Sequence, residues 1–232
     1  MIEEPPVLTI KRELPRPSAE DLADLGATPT GFLVDAMGGR GALDHHIKPL
    51  GEKDGMPIGF CGVALPCFCG PADIMALVAA VEMSQPGDVL MVGTDAFEQT
   101  AVCGDLLLGV ARNKGVVAFV TDGLMRDLEG IVGVGIPAFC AGLTPNSPVC
   151  KGPGTVGLPV AMGGVNVGPG DVVVGDRDGV VVVPFARIGE VRDTLTRVRD
   201  AEKDLDQRVK AGLTALDITA DLMAPDKIRW VD

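Results

Sequence analysis

Three residues near the middle of the chain, Asp105, Arg126 and Asp127, have types and placement suited to chemistry on a small acid. The guanidinium of Arg126 offers a planar fork of donors that matches a carboxylate in two parallel hydrogen bonds, an orientation lysine would not hold. The turn Gly104-Asp105-Leu106-Leu107 lies at an expected helix start. Backbone N–H groups there make an anion-binding surface, and Gly104 presents no side chain to block approach. Asp127, beside the arginine, can hold a hard divalent ion directly or through water, and such an ion polarises a 2-oxo group. Ordinary electrostatics satisfies the same residues: Arg126-Asp127 as a solvated loop pair, and Asp105 as an acid at a helix N-terminus.

Other candidate groups carry less. His45 and His46 stand together in GALDHHIKPL. Neighbours on an extended chain alternate in direction and seldom share a ligand, so structural or exposed histidines are expected. Lys151, in the Gly/Pro-rich segment CKGPG, has no surroundings that would activate it as a Schiff-base lysine. Gly152, Gly154 and Gly157 resemble a phosphate loop only superficially, because no Gly-Lys-Ser/Thr follows; they read as turn chemistry. Cys61, Cys67, Cys69, Cys103, Cys140 and Cys150 mostly occupy apolar segments without paired C-x-x-C steps, and are expected to be small buried thiols rather than zinc ligands.

Apolar periodicity and Gly/Pro punctuation outline the scaffold around the three residues. Pro5, Pro6, Pro15 and Pro17 make residues 1–17 an extended arm. Ser18 is an N-cap-like start for a short helix through about Leu25, and a second helix near Thr30–Met37 ends at Gly38-Gly39. Then IGFCGVALP reads as a strand, ADIMALVAAVEMS as a helix, DVLMVG as a strand and AVCGDLLLGVARNKG as a helix. VVAFVTDG reads as a strand, GLMRDLEGI as a helical turn and IPAFCAG as a further strand. After Cys150, LPVAMGGVNV and DVVVGDRDGVVVVP read as hairpins, Phe185 to Gly212 as a long polar helix, and DITADLMAPDKIRWVD as a separate docked tail. The organisation is thus an arm over 1–17, one domain over 18–212, and a tail over 213–232.

Bulk properties narrow the function classes. A chain of 232 residues suits one compact domain, and 47% hydrophobic content with only 3% aromatics points to an α/β protein built on small aliphatics. The formal net charge of -12 and the absence of a basic run argue against nucleic-acid binding. The apolar stretches fall short of a bilayer span. The opening segment MIEEPPVLTIKREL has the features of neither a signal nor a transit peptide, so the cytoplasm is the expected location.

Asp105, twenty intervening residues, then Arg126-Asp127, in the frame GDVLMVG, CGDLLLGVARNKGVVAFVTDGLMRD and GIPAFCAGLTP, is similar to one known family. It resembles the class II pyruvate aldolases of the 4-hydroxy-4-methyl-2-oxoglutarate and 4-carboxy-4-hydroxy-2-oxoadipate type, with their RraA-like relatives. LVDAMGG near Asp35 and VGPGDVVVGDRDGVVVVP extend the likeness to roughly residues 20–210. The resemblance implies an α/β fold of the swivelling β/β/α, phosphohistidine-domain type with mixed sheets. It implies a homotrimer or homohexamer with sites at subunit interfaces.

By the same resemblance, Arg126 and the backbone of Gly104, Asp105, Leu106 and Leu107 would bind a pyruvyl carboxylate. Asp127 would hold Mg2+ or Mn2+ through water, with Asp105 organising the metal-water network. A glutamate from the C-terminal helix of an adjacent subunit would join them; Glu202 is the nearest match, with Glu190, Asp200 and Asp204 on the same helix. The implied reaction is retro-aldol cleavage of a 4-hydroxy-2-oxo acid to pyruvate and a second oxo acid, with oxaloacetate decarboxylation through the same enolate. No side chain stands out as the base. The sequence departs from the family at MVGTDAFEQT, where Thr94, Asp95, Phe97 and Glu98 are expected to put bulk and charge at the pocket rim. The alternative within the same resemblance is an RraA-like binding protein that inhibits a ribonuclease. A menaquinone methyltransferase role is rejected, because no S-adenosylmethionine-binding glycine motif follows a first strand.

Overall fold

The computed structural model describes residues 7–231. In chain order the elements are β1 (Leu8–Ile10), α1 (Ala19–Gly26), α2 (Thr30–Ala36), β2 (Lys48–Pro49), β3 (Phe60–Phe68), α3 (Met75–Met83), β4 (Asp88–Gly93) and β5 (Ala101–Cys103). There follow α4 (Asp105–Asn113), β6 (Ala118–Thr121), β7 (Leu124–Met125), α5 (Leu128–Val134), β8 (Ala138–Cys140) and β9 (Gly142–Leu143). The chain continues through β10 (Gly154–Val156), β11 (Val160–Met162), β12 (Val165–Val167), β13 (Val172–Gly175), β14 (Val180–Val183), α6 (Ile188–Lys210) and α7 (Thr219–Leu222).

The scaffold is a mixed sheet whose centre, β3-β4-β6-β8, is parallel. All six residues of β4 are buried, as both faces of a parallel ladder are covered. Alternation divides them: Leu90 and Val92 face a core with α3, α4 and α5, whereas Val89 and Met91 face the opposite core with Phe139, Val160 and Val173. The β13–β14 hairpin pairs antiparallel to β3. Its outer valines, Val172, Val174, Val181 and Val183, pack beneath α1, α2 and α6 in a third core. These cores hold the frame rigid: truncating a fully buried leucine such as Leu90 to alanine costs about 2–5 kcal/mol. An exposed ion pair such as Arg208–Asp217 is screened by solvent and contributes little beside that.

Several expectations are met in detail. Ser18 caps α1, and its hydroxyl and backbone N–H form a reciprocal capping box with Asp21. Both late hairpins form, β11 with β12 and β13 with β14. Within the expected arm, Leu8–Ile10 is an edge strand beside β10; Pro5 and Pro6 lie outside the described residues.

Three readings are corrected. Ala101–Cys103, expected to be helical, is strand β5, and Leu124–Met125, expected in a helical turn, is strand β7. Two or three residues are too few to display a period of two, and only long-range pairing makes them strands. The tail does not dock on its own chain: Leu216, Ile218, Leu222, Met223 and Trp230 are all exposed, and Leu195 is the last buried residue among those described. No helix among the described residues is long and apolar enough to cross a membrane.

Candidate functional site

The short strands β7 and β9 follow β6 and β8 within one or two residues, β5 follows β4 after the loop at residues 94–100, and the three pair as a separate parallel sheet. Cys103 is in register with Met125, and Met125 with Leu143. The backbone N–H of Arg126 donates to the Cys103 carbonyl at 3.0 Å, and that of Thr144 to the Met125 carbonyl at 3.0 Å. The residues just past these strand ends, Gly104-Asp105, Arg126-Asp127 and Thr144-Pro145, therefore stand side by side. The interval between Asp105 and Arg126 is one crossover, comprising α4, β6 and β7. Open parallel sheets characteristically place ligand sites beyond the carboxyl ends of their strands.

A pocket of about 150 Å3 opens there, lined by Asp105, Arg126, Asp127 and the Gly104–Leu107 turn, with Ile74, Val102, Cys103 and Pro148 behind them. A neighbouring cavity of about 280 Å3 shares Arg126 and Asp127 and is otherwise lined by Leu128, Leu143, Thr144 and Pro145. Across both linings Arg126 is the one cation, and Asp105 and Asp127 are the two carboxylates.

Arg126 Nε lies 3.2 Å from Asp127 Oδ2, and Nη1 donates to Ser147 Oγ, so two contacts orient the guanidinium. Asp127 has left-handed backbone, φ 64 and ψ 47, at the start of α5. Aspartate tolerates this region better than most residues, at a cost of about 1–2 kcal/mol. The segments approach closely at two glycines. A Cβ on Gly104 would overlap Asp127 Oδ2 and press on Arg126 Cγ at 3.2 Å. One on Gly130 of α5 would overlap Asp105, whose Cβ it would meet at 2.6 Å. Asp105 begins α4, and its Oδ1 accepts the Leu106 N–H at 2.7 Å.

The loop carrying Ser147 and Pro148 is held from both sides. Buried Asp73 accepts backbone N–H groups of Met75, Lys151 and Gly152 at 2.7, 2.7 and 2.9 Å. Asn146 Nδ2 donates to the Gln99 carbonyl at 2.8 Å. Lys151 thus contributes its backbone, and its side chain is exposed. Of the three glycines read as turn residues, Gly154 lies instead in strand β10, while Gly152 and Gly157 have positive φ in the loops on either side of it.

The reading of Thr94 and its neighbours as a pocket rim is corrected. Thr94 is buried, and none of Thr94, Asp95, Phe97 and Glu98 lines either cavity. Instead Asp122 accepts from Thr94 N, Thr94 Oγ1 and Ala96 N at 2.7, 3.0 and 3.0 Å, locking the turn after β4. Glu202 is exposed on α6, which packs on α1 and α2, and lines neither cavity within this chain.

The cysteines are free. Four are buried, Cys61 is half-buried, and only Cys150 is exposed. Burial pushes the thiols of Cys61 and Cys140 up to about 11 and that of Cys103 higher still, so none of these three offers a thiolate near neutrality. Sequence reasoning missed Ile74, Val102, Ser147 and Pro148. Ser147 and Pro148 sit in an irregular Asn-Ser-Pro stretch whose text gives no sign of a site.

Residues 21–182 match the RraA-like family described as Aldolase/RraA. This span contains Asp105, Arg126 and Asp127 and stops short of Glu202 and the tail. A Halalkalibacterium halodurans protein with the provisional name 4-hydroxy-4-methyl-2-oxoglutarate aldolase is 33% identical over 183 residues, covering 79% of this chain and 84% of the relative. The solved structure of Streptomyces coelicolor RraAS2, described as an unusual member of the RNase ES inhibitor RraA protein family, aligns with a TM-score of 0.72 at 30% identity. That alignment covers 83% of this chain and 100% of the other. A Pseudomonas syringae protein aligns with a TM-score of 0.74 at 24% identity, over 87% of this chain and 93% of its own, a likeness of fold. With its strand order, its site geometry and these matches taken together, the chain belongs to the RraA-like Aldolase/RraA family and has that family's mixed α/β fold.

Proposed function

We propose that the protein is a divalent-metal-dependent carbon–carbon lyase that cleaves a 4-hydroxy-2-oxo acid to pyruvate and a second oxo acid. The observation that carries this reading is the pocket in which one oriented guanidinium, Arg126, stands beside two carboxylates, Asp105 and Asp127, at adjacent parallel strand ends.

Arg126 binds the substrate carboxylate with its free donors, while Asp127 and Ser147 fix the plane of the fork. Because Asp105 already occupies the Leu106 N–H, backbone donation at the helix start falls to Leu107. The residues present fit a hard divalent ion such as Mg2+ or Mn2+. Asp127 is half exposed, it is an oxygen donor, and it lines the pocket together with a second carboxylate, Asp105. Asp127 would hold the ion, largely through water, with Asp105 ordering that water. When bound, the ion supplies Lewis-acid polarisation of the 2-oxo group.

In the cleavage the C4 hydroxyl loses its proton and the C3–C4 bond breaks. Its electron pair enters the pyruvate enolate, and protonation at C3 completes pyruvate. The positive charge of Arg126 stabilises the enolate, an interaction that strengthens as negative charge develops. Oxaloacetate decarboxylation needs the same enolate and is proposed as a side activity.

The proposal includes a trimer or hexamer in which Glu202 of one copy approaches the pocket of another. It is supported by the distal half of α6 and the tail, which among the described residues contain no fully buried side chain and expose Val209, Ile218, Leu222 and Trp230. The test couples pyruvate release to lactate dehydrogenase, with 4-hydroxy-4-methyl-2-oxoglutarate and oxaloacetate as substrates, with Mg2+ and with chelator. Metal-dependent turnover lost in Arg126→Ala is expected. Absence of metal-dependent turnover on both substrates overturns the reading and leaves a binding role for the fold.

A further inference from the structure

We propose that Asp44, His45 and His46 form a second metal site, separate from the lyase pocket and selective for a first-row transition ion such as Zn2+. These are the chain's only two histidines, and an acid precedes them directly. On extended chain their rings would diverge, but residues 45–46 form a turn, and the rings lie together with centroids 4.0 Å apart. Both Nδ1 atoms converge on one oxygen: Asp44 Oδ1 is 2.8 Å from that of His46 and 3.3 Å from that of His45. One ligand atom from each residue lies within 4.8 Å of the others, and among the described residues no other group of three His, Cys, Asp or Glu side chains does this.

The spacing suits a small ion. Two ligand atoms bound tetrahedrally at about 2.0 Å from zinc lie about 3.3 Å apart, so small ring adjustments suffice. The turn is also set in advance. Leu43 and Ile47 are buried on either side of it, and the Asp44 N–H donates to the Gly163 carbonyl at 2.9 Å. The Asp44 carbonyl accepts Ile47 N–H at 3.0 Å, while Oδ1 accepts His46 N–H at 2.9 Å. Gly163, with φ 53, lets the β11–β12 turn approach: a Cβ there would meet Asp44 N and Leu43 Cβ at 3.1 Å. The backbone cost of gathering the ligands is therefore met by the fold, and only exposed side chains need settle. Two imidazoles and one carboxylate prefer zinc, nickel or copper to Mg2+, which takes oxygen ligands, so this chemistry differs from that of Asp127. Water would complete the coordination.

The test is isothermal titration of the untagged full-length protein with Zn2+ in a large excess of Mg2+, which occupies the lyase pocket. One equivalent is expected, weakened about tenfold or more in the His45→Ala/His46→Ala double variant and in Asp44→Asn, and unchanged in Asp127→Ala and Cys150→Ser. The substituted ligand side chains are exposed, and thermal unfolding checks that each variant folds. Co2+ absorption in the visible region, present in the wild type and absent from the double variant, gives a second readout. No saturable binding, equal binding in the double variant, or loss on Asp127→Ala or Cys150→Ser would overturn the proposal. Pyruvate-release activity is independent of all these outcomes.

Discussion

The space that a Cβ on Gly104 would fill is the space occupied by Oδ2 of Asp127. One residue ends the approach from β5 and the other begins α5, so two neighbouring loops meet there without a side chain between them. Gly104 has φ -125, a backbone any residue adopts, so its role is spatial. Gly104→Ala is expected to fold but to displace Asp127 and the Arg126 stem, lowering kcat/KM by about 10²-fold. Circular dichroism and coupled pyruvate release separate the two effects; unchanged activity would show that this contact does not set the site.

Asp127 is held in left-handed backbone by its surroundings. Asp127→Gly relieves that conformation and is expected to raise unfolding stability by about 1 kcal/mol while removing metal-dependent turnover. Asp127→Asn, which keeps a side chain that tolerates the same region, should lose turnover without the gain in stability. Thermal melts beside the coupled assay read both. A fall in stability for the glycine variant would contradict the strain argument.

Arg126 and Ser147 should differ in degree. Arg126→Ala removes the charge that meets the enolate and is expected to cost about 10²–10³-fold in kcat/KM. Arg126→Lys keeps charge but not the fork, and recovers only part. Ser147→Ala removes one hydrogen bond that orients the fork, worth about 1 kcal/mol, and should lower kcat/KM about fivefold. An effect of Ser147→Ala equal to that of Arg126→Ala would mean that Ser147 touches substrate.

Glu202 is tested by mixing. Glu202→Gln and Arg126→Ala proteins, each low in activity, should regain part of it when unfolded and refolded together, because some interfaces then combine two intact contributions. Sedimentation should give a mass that is a small multiple of 24.0 kDa. A monomeric mass, or no regain on mixing, sinks the cross-subunit role.

Acid stability should depend in part on Asp176. Burial opposes its charge, but hydrogen bonds from Thr30 N–H and hydroxyl and from Asp178 N–H outweigh it and hold the carboxyl below its ordinary value of 3.8. A lowered folded value means that the stabilisation is complete above the unfolded value and is lost as pH falls through the folded one. Asp176→Asn is expected to be less stable than wild type at pH 7, with the gap closing below about pH 4. Urea unfolding across that range measures it, and a gap that widens with acid would reverse the assignment.

Much of this architecture is legible from local pattern. The run DVLMVG is β4 to the residue, Ser18 with Asp21 announces the start of α1, and the valine-rich segments around Gly163-Gly164 and Asp178-Gly179 become hairpins. Each depends on neighbours in sequence, where periodicity and turn chemistry operate. The strands β5 and β7 escape such a reading, because Ala101–Cys103 and Leu124–Met125 are strands only by virtue of each other and of Gly142–Leu143.

The same division runs through the site. The order of residues alone specifies the residue types and the interval between Asp105 and Arg126-Asp127, since those are properties of one chain segment and its crossover length. It could not reveal Ser147 on the guanidinium, Gly130 against Asp105, Thr94 buried under Asp122, or His45 and His46 turned onto one carboxylate oxygen. Those relationships were decided by the tertiary structure, because each joins side chains whose distance is set by strand register and by a loop's buried anchors, quantities that no local pattern of residues carries.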